Sequence, residues 1–289
     1  MALVGFGVNT VLAFAKMLAG VIGHSYALIA DGVESTLDIF GSLVVVGGLR
    51  VASAPPDRGH PYGHGKAEPL AGAVVSLALL GAAAGLGIMS VSEILTPHHA
   101  PEPYTLLVLI AVILIKEVLF RSALKVGDHI DSTAVRADAW HHRSDAITSV
   151  AAFVGIGVAL LGGPGYESAD DWAALLACGV IAFNGVRLLR PALADLMDAA
   201  PSPELDQRVR TNALAVPGVI GLDKCRARKM GFDYYVDLHI RVDGSIPVRD
   251  GHRIAHRVKD SIRAAIPEIA DVLVHVEPEA DANGRSLGV

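Results

Sequence analysis

Six apolar stretches, each near the roughly 20 residues needed to cross a bilayer, dominate the first two thirds of the chain at about 2–23, 25–52, 67–95, 103–125, 132–161 and 170–190. That pattern leaves little choice of architecture, because a lipid interior accepts backbone only as helix or closed barrel. The whole chain of 289 residues is 52% hydrophobic and 19% charged, with a mean hydropathy of +0.46. Its first stretch begins without a basic segment and runs on into Lys16, so it reads as a span rather than a cleavable leader. The formal net charge of -6, without a clustered Lys/Arg surface, excludes nucleic acid as a partner. Two cysteines, Cys178 and Cys225, in unrelated contexts define neither a disulfide framework nor a zinc knuckle.

Loops fall at "SAPPDRGHPYGHGK", "TPHHAPEP" and "GGPGYESADD". Arg50, Arg58 and Lys66, then Arg121, Lys125, Arg136 and Arg143, then Arg187 and Arg190 gather on one side, while the last two of those loops have no Lys or Arg. The positive-inside rule therefore puts both termini in the cytoplasm, with the inner membrane of the cell as the expected location. After "RPALADLMDAAPSP" the sequence turns soluble in character. A helix over 203–216, a strand pair about Gly231, a helix in "VRDGHRIAHRVKDSIRAAI" and a strand in "DVLVHVEP" predict a ferredoxin-like αββαβ domain. The expected division is a six-span transport domain over 1–200, a cytoplasmic domain over 201–280 and a disordered tail over 281–289.

Two of the spans are interrupted by charge. In "HSYALIADGVESTLDIFGSL", Asp31, Glu34 and Asp38 follow one another at three and four residues and share one side of a helix. In "RADAWHHRSDAITS", His141 and Asp145 lie four apart, with Asp138 near the same stripe. Each carboxylate at mid-bilayer costs roughly 2.5–3.5 kcal/mol, so such a set demands a cation or a wet cavity. Glu34, Asp38, His141 and Asp145 can close around one divalent ion, a donor set suited to zinc and also to manganese, iron(II), cobalt or cadmium. Asp31 reads as a cap or supporting acceptor. The alternative for these residues is water at a span end, or salt bridges to Lys16 or Lys116. Asp57, His60 and His64, in one short loop, offer three more ligands and an open position, or only shape a turn.

In that order on six spans, "ALIADGVESTLDIFGS", "HPYGHGKAE" and "ADAWHHRSDAITS" resemble the cation diffusion facilitators, proton-coupled exporters of divalent metals. The resemblance covers nearly the whole chain. It implies a homodimer in the lipid bilayer that exchanges a divalent cation, zinc first, for protons. It also implies an intramembrane site at Glu34, Asp38, His141 and Asp145, although the first position is ordinarily Asp or His and here is Glu34. The same likeness implies a second ion at Asp57, His60 and His64, and a salt bridge between Lys66 and Asp198 that holds the dimer at the membrane surface. In the tail it implies a regulatory zinc site at Asp223, His239, His252, His275 and Glu277, where the strand pattern lets His239, His275 and Glu277 converge. His98, His99, His129, His142 and His256 read as loop or surface residues, and Arg226, Arg228 and Lys229 as a solvated face.

Two rivals to a transporter fit the sequence less well. A membrane-anchored metal sensor has no use for carboxylates facing each other inside its anchor, and a metal hydrolase needs an aqueous cleft that six apolar spans around "HHRSD" do not offer.

Overall fold

The computed structural model describes residues 2–96, 100–129, 133–163 and 165–279; the side chains of residues 2–4, 127, 133–138 and 141 fall outside that description. Six long helices come first: α1 (Ala2–Ile22), α2 (Tyr26–Ala52), α3 (Ala67–Leu95), α4 (Tyr104–His129), α5 (Thr133–Leu161) and α6 (Ala169–Leu196). Among the described residues, five of them are long and apolar enough to cross a membrane by length and composition. The exception is α4, 26 residues long but diluted by Lys116, Glu117, Arg121 and Lys125. The expected tail over 281–289 lies outside the described residues.

Internal contacts divide the chain into two compact units, Met1–Val46 with Gly72–Leu189, and Gly47–Ala71 with Arg190–Val289. The first unit is a helical bundle with small residues at its centre: Ala19, Ala27, Ala30, Ala152 and Ala174 pack with Leu28, Leu109 and Ile156. Small side chains let helices approach where lipid supplies no hydrophobic drive. At Gly155 the approach is close enough that a Cβ would lie 2.3 Å from that of Ala173 on α6. Large apolar side chains point outward instead, in stripes such as Val11, Phe14 and Leu18 on α1 or Leu107, Leu114 and Val118 on α4. The N-terminus of α2 is capped from a distance: the Asp170 carboxylate of α6 accepts from Ser25 Oγ at 2.8 Å and from the Tyr26 amide at 2.7 Å. This places an anion where α2 has unpaired N–H groups and a positive dipole end.

The second unit holds α7 (Pro203–Leu214), β1 (Gly221–Met230), β2 (Asp233–Val242), α8 (Val248–Ala265) and β3 (Ile269–Pro278), the αββαβ order expected of a ferredoxin-like domain. Ser202 caps α7 by accepting from the Leu205 amide, with Pro203 at the first helical position. The sheet runs β1-β2-β3; β1 and β2 are an antiparallel hairpin turning at Gly231 (φ +68°), and α8 carries the chain over to β3, parallel to β2. Val236, Leu238 and Ile240 of β2 are sealed against Val209 of α7 and Val258 and Ile262 of α8. The opposite face of β2 and β3 remains polar, with His239 directly beside His275 in the ladder.

The same unit includes the loop after α2. Gly65 lies against the hairpin turn so closely that a Cβ would meet the Met230 carbonyl oxygen at 2.5 Å. Tyr62 stands edge-on to Tyr235 at 5.9 Å between ring centroids, under the Arg228 guanidinium.

Candidate functional site

Inside the helical bundle the acids on α2 and α5 meet two buried lysines. Lys16 of α1 is fully buried, and its Nζ lies 2.9 Å from Asp31 Oδ2 while donating to Ser35 Oγ and Ser149 Oγ, each at 3.1 Å. Ser149 in turn donates to Asp31 Oδ2 at 2.8 Å. Asp31 therefore ties three helices together, the supporting role expected of it. Lys116 of α4 is the other, 1% exposed, donating to Asp145 Oδ2 at 2.5 Å and to Asn9 Oδ1 at 2.9 Å. Of the placements open to Asp145 from sequence, the ion pair to Lys116 is present here. Isolated charges are not tolerated at this depth, and each lysine answers one acid that would otherwise carry its full desolvation cost.

Glu34 and Asp38 are half-buried. Glu34 lies within electrostatic reach of Asp38, Asp31 and Asp145 and of Lys16, so the charges of α2 and α5 share one region of the bundle. Among the described residues, two groups of three ligating side chains gather within 4.8 Å of one another, both outside the bundle. The side chains of His141 and Asp138 lie outside the described residues.

The first of those two groups is Asp57, His60 and His64 in the loop after α2. Asp57 Oδ1 is 3.3 Å from His60 Nδ1, Oδ2 is 3.5 Å from His64 Nε2, and the two imidazoles sit 4.3 Å apart. The backbone amides of His60 and Gly59 donate to Asp57 Oδ1, and the first of them chiefly holds its carboxyl below the usual aspartate value. An ionised carboxylate flanked by two imidazoles is a chemically sound site for a borderline divalent ion.

The second group is His239, His275 and Glu277 on the open face of β2 and β3. His239 Nδ1 and Glu277 Oε1 are 2.6 Å apart, and His275 Nε2 is 3.9 Å from the same oxygen. Ladder register explains the cluster: His239 and His275 are direct parallel neighbours, and Glu277 projects from the same strand face two residues on. Asp223 and His252 are not brought into it. Asp223 lies at the break in register between Leu222 and Cys225 and stands 4.0 Å from Lys224, and a bulge of this kind re-aims side chains. His252 projects from α8, its ring against that of His256 one turn later.

Lys66 and Asp198 do meet, within one chain: Lys66 Nζ donates to Asp198 Oδ1 at 2.6 Å and also to the Asp195 carbonyl. Asp198 takes a left-handed conformation, φ +54°, beside this contact.

Two residues were misjudged by sequence. His142 is not a surface residue but is 3% exposed, its ring reaching α1 where a Cβ at Gly5 would meet Nε2 at 3.8 Å. Lys229 is a third exposed rather than fully solvated and donates to Asp195 Oδ2 at 2.9 Å, a second ion pair beside that of Lys66. His129 and His256 are exposed as expected, whereas His98 and His99 lie outside the described residues.

Residues 2–197 match the cation efflux transmembrane domain and residues 201–279 the cytoplasmic domain of cation efflux proteins. This chain belongs to the cation diffusion facilitator family. Relatives of this facilitator include the manganese efflux system protein MneP of Bacillus subtilis, 29% identical over 96% of this chain and 95% of its own. The cation-efflux pump FieF of Pectobacterium atrosepticum is 32% identical, covering 94% and 89%. Metal tolerance protein C1 of Arabidopsis thaliana is 34% identical over 92% of this chain and 59% of its own longer one. As a cation diffusion facilitator the protein is a multi-pass membrane transporter of divalent metal cations, not an enzyme, and it carries the family's dimerisation domain.

Proposed function

We propose that this facilitator exports zinc from the cytoplasm in exchange for protons, loading and releasing it at Glu34, Asp38, His141 and Asp145. The observation that carries this reading is the convergence of charge from α2 and α5 in the bundle, where Glu34 is in reach of both Asp38 and Asp145. Carboxylate and imidazole ligands must be deprotonated to hold a metal, so one set of groups binds either cation or protons and thereby couples their movements. Inward- and outward-facing arrangements of the bundle alternate around it. The imidazole favours zinc over the harder manganese ion that the name of MneP specifies for that protein.

Asp57, His60 and His64 then bind a second ion at the cytoplasmic entrance, and His239, His275 and Glu277 bind a regulatory ion that tightens the homodimer. Lys66 with Asp198 stiffens the dimer at the surface of the cell's inner membrane, with both termini in the cytoplasm. Such regulation requires the ion to bind one state more tightly than the other.

Proteoliposomes test the exchange. With an acid interior, external zinc should enter faster than in the absence of a gradient and should alkalinise the lumen, and manganese should compete weakly. Zinc entry indifferent to the gradient and to a protonophore would rule exchange out.

A further inference from the structure

The two buried lysines of the bundle are not equivalent. Lys16 pairs with Asp31, which is outside the proposed ligand set, and two serines fix it further. Lys116 pairs instead with Asp145, one of the proposed ligands. Asp145 Oδ2 already accepts from the Lys116 ammonium, whose positive charge opposes a divalent cation on the same carboxylate, so whatever loads Asp145 must contend with Lys116. The geometry points to Lys116 as a tethered cation that holds Asp145 between loads of metal, and whose displacement and return set affinity and release at the intramembrane site. This rests on the proposal that Asp145 is a ligand.

Two features fit Lys116 for that task. Its Nζ already has a second acceptor, Asn9 Oδ1 at 2.9 Å on α1, which keeps the ammonium hydrogen-bonded when Asp145 turns to a metal. Charge also balances with the metal present. With Glu34, Asp38 and Asp145 deprotonated to hold the metal, the described residues of this network set Asp31 and these three carboxylates, four negative charges, against two from Lys16 and Lys116 and two from one divalent ion. The ammonium can stay charged through the exchange, moving within the network rather than leaving it. On release it reoccupies Asp145, sparing a bare carboxylate in a medium where that is costly. Lys116 thus lowers affinity for cargo while speeding its departure.

Calorimetric zinc binding to full-length protein distinguishes this from a structural ion pair. The background carries Asp57→Ala, His60→Ala, His239→Ala and His275→Ala, so that the intramembrane site is read alone. Lys116→Gln keeps a hydrogen-bond donor without the charge and should tighten zinc at least tenfold, with a lower KM and lower maximal flux in proteoliposomes. Lys116→Arg keeps the charge in a fork that grips a carboxylate through two N–H groups. It should weaken zinc at least tenfold and raise KM. A purely structural lysine would move both variants the same way or neither, and that result overturns the proposal. If Lys116→Gln does not fold, as judged by gel filtration, Lys116→Arg decides alone: zinc affinity at or above the parental value overturns it. Asp145→Asn in the same background separates the premise, since unchanged zinc binding there would remove Asp145 from the site and leave Lys116 nothing to compete for.

Discussion

The bundle and the second unit hold carboxylates in opposite surroundings. Within the bundle, Asp31 and Asp145 are 3% and 12% exposed and each is answered by a buried ammonium. In the loop after α2, Asp57 is 55% exposed and is answered by backbone amides and two imidazoles of its own segment. Depth makes the difference: water screens the loop, whereas in the bundle each charge must find its counter-charge from another helix. The paired acids of the bundle are thus built into its packing, while the outer clusters are held by their own segments.

That contrast is sharpest where a lysine is removed. Lys16→Met strands Asp31 without its ammonium and should destabilise the bundle by about 3–5 kcal/mol, read by denaturant titration in detergent. Pairing it with Asp31→Asn should recover most of the loss; no recovery would mean that the pair is not the cause. Next in size, Gly65→Ala should cost about 1–3 kcal/mol in the second unit, because its methyl overlaps the Met230 carbonyl. In the cytoplasmic cluster, His239→Ala should lower metal affinity by about tenfold or more, as loss of a ligand or its support does. His252→Ala, placed outside that group, should leave calorimetric affinity almost unchanged; an equal loss would put His252 back among the ligands. Smallest is Lys229→Ala. Its ion pair to Asp195 is a third exposed on each side, so a shift of at most about 1 kcal/mol is expected.

What sequence could and could not reveal follows the same line. Helical spacing exposed the acids of α2 and α5, and period and turn chemistry laid out αββαβ around Gly231, because those signals are local. The partners of Asp31 and Asp145 were legible only as options, since the Lys16 to Ser149 contact spans 133 residues of chain and nothing local in α4 says which acid Lys116 meets. His142 was missed for a related reason: a lone histidine next to His141 carries no sign of which helix covers it. In the sheet, alternation placed His239, His275 and Glu277 on shared faces, but nothing local announces the break in register that sets Asp223 apart.

The central claim is that the acids converging from α2 and α5 carry the metal. Zinc flux driven by a proton gradient, measured in proteoliposomes for the native protein, Asp38→Asn and Asp145→Asn, tests it most directly. The account predicts that each asparagine variant folds and inserts but loses transport by two orders of magnitude or more, on the scale of about 2.7 kcal/mol at 1.36 kcal/mol per decade. Native flux in either variant would contradict it.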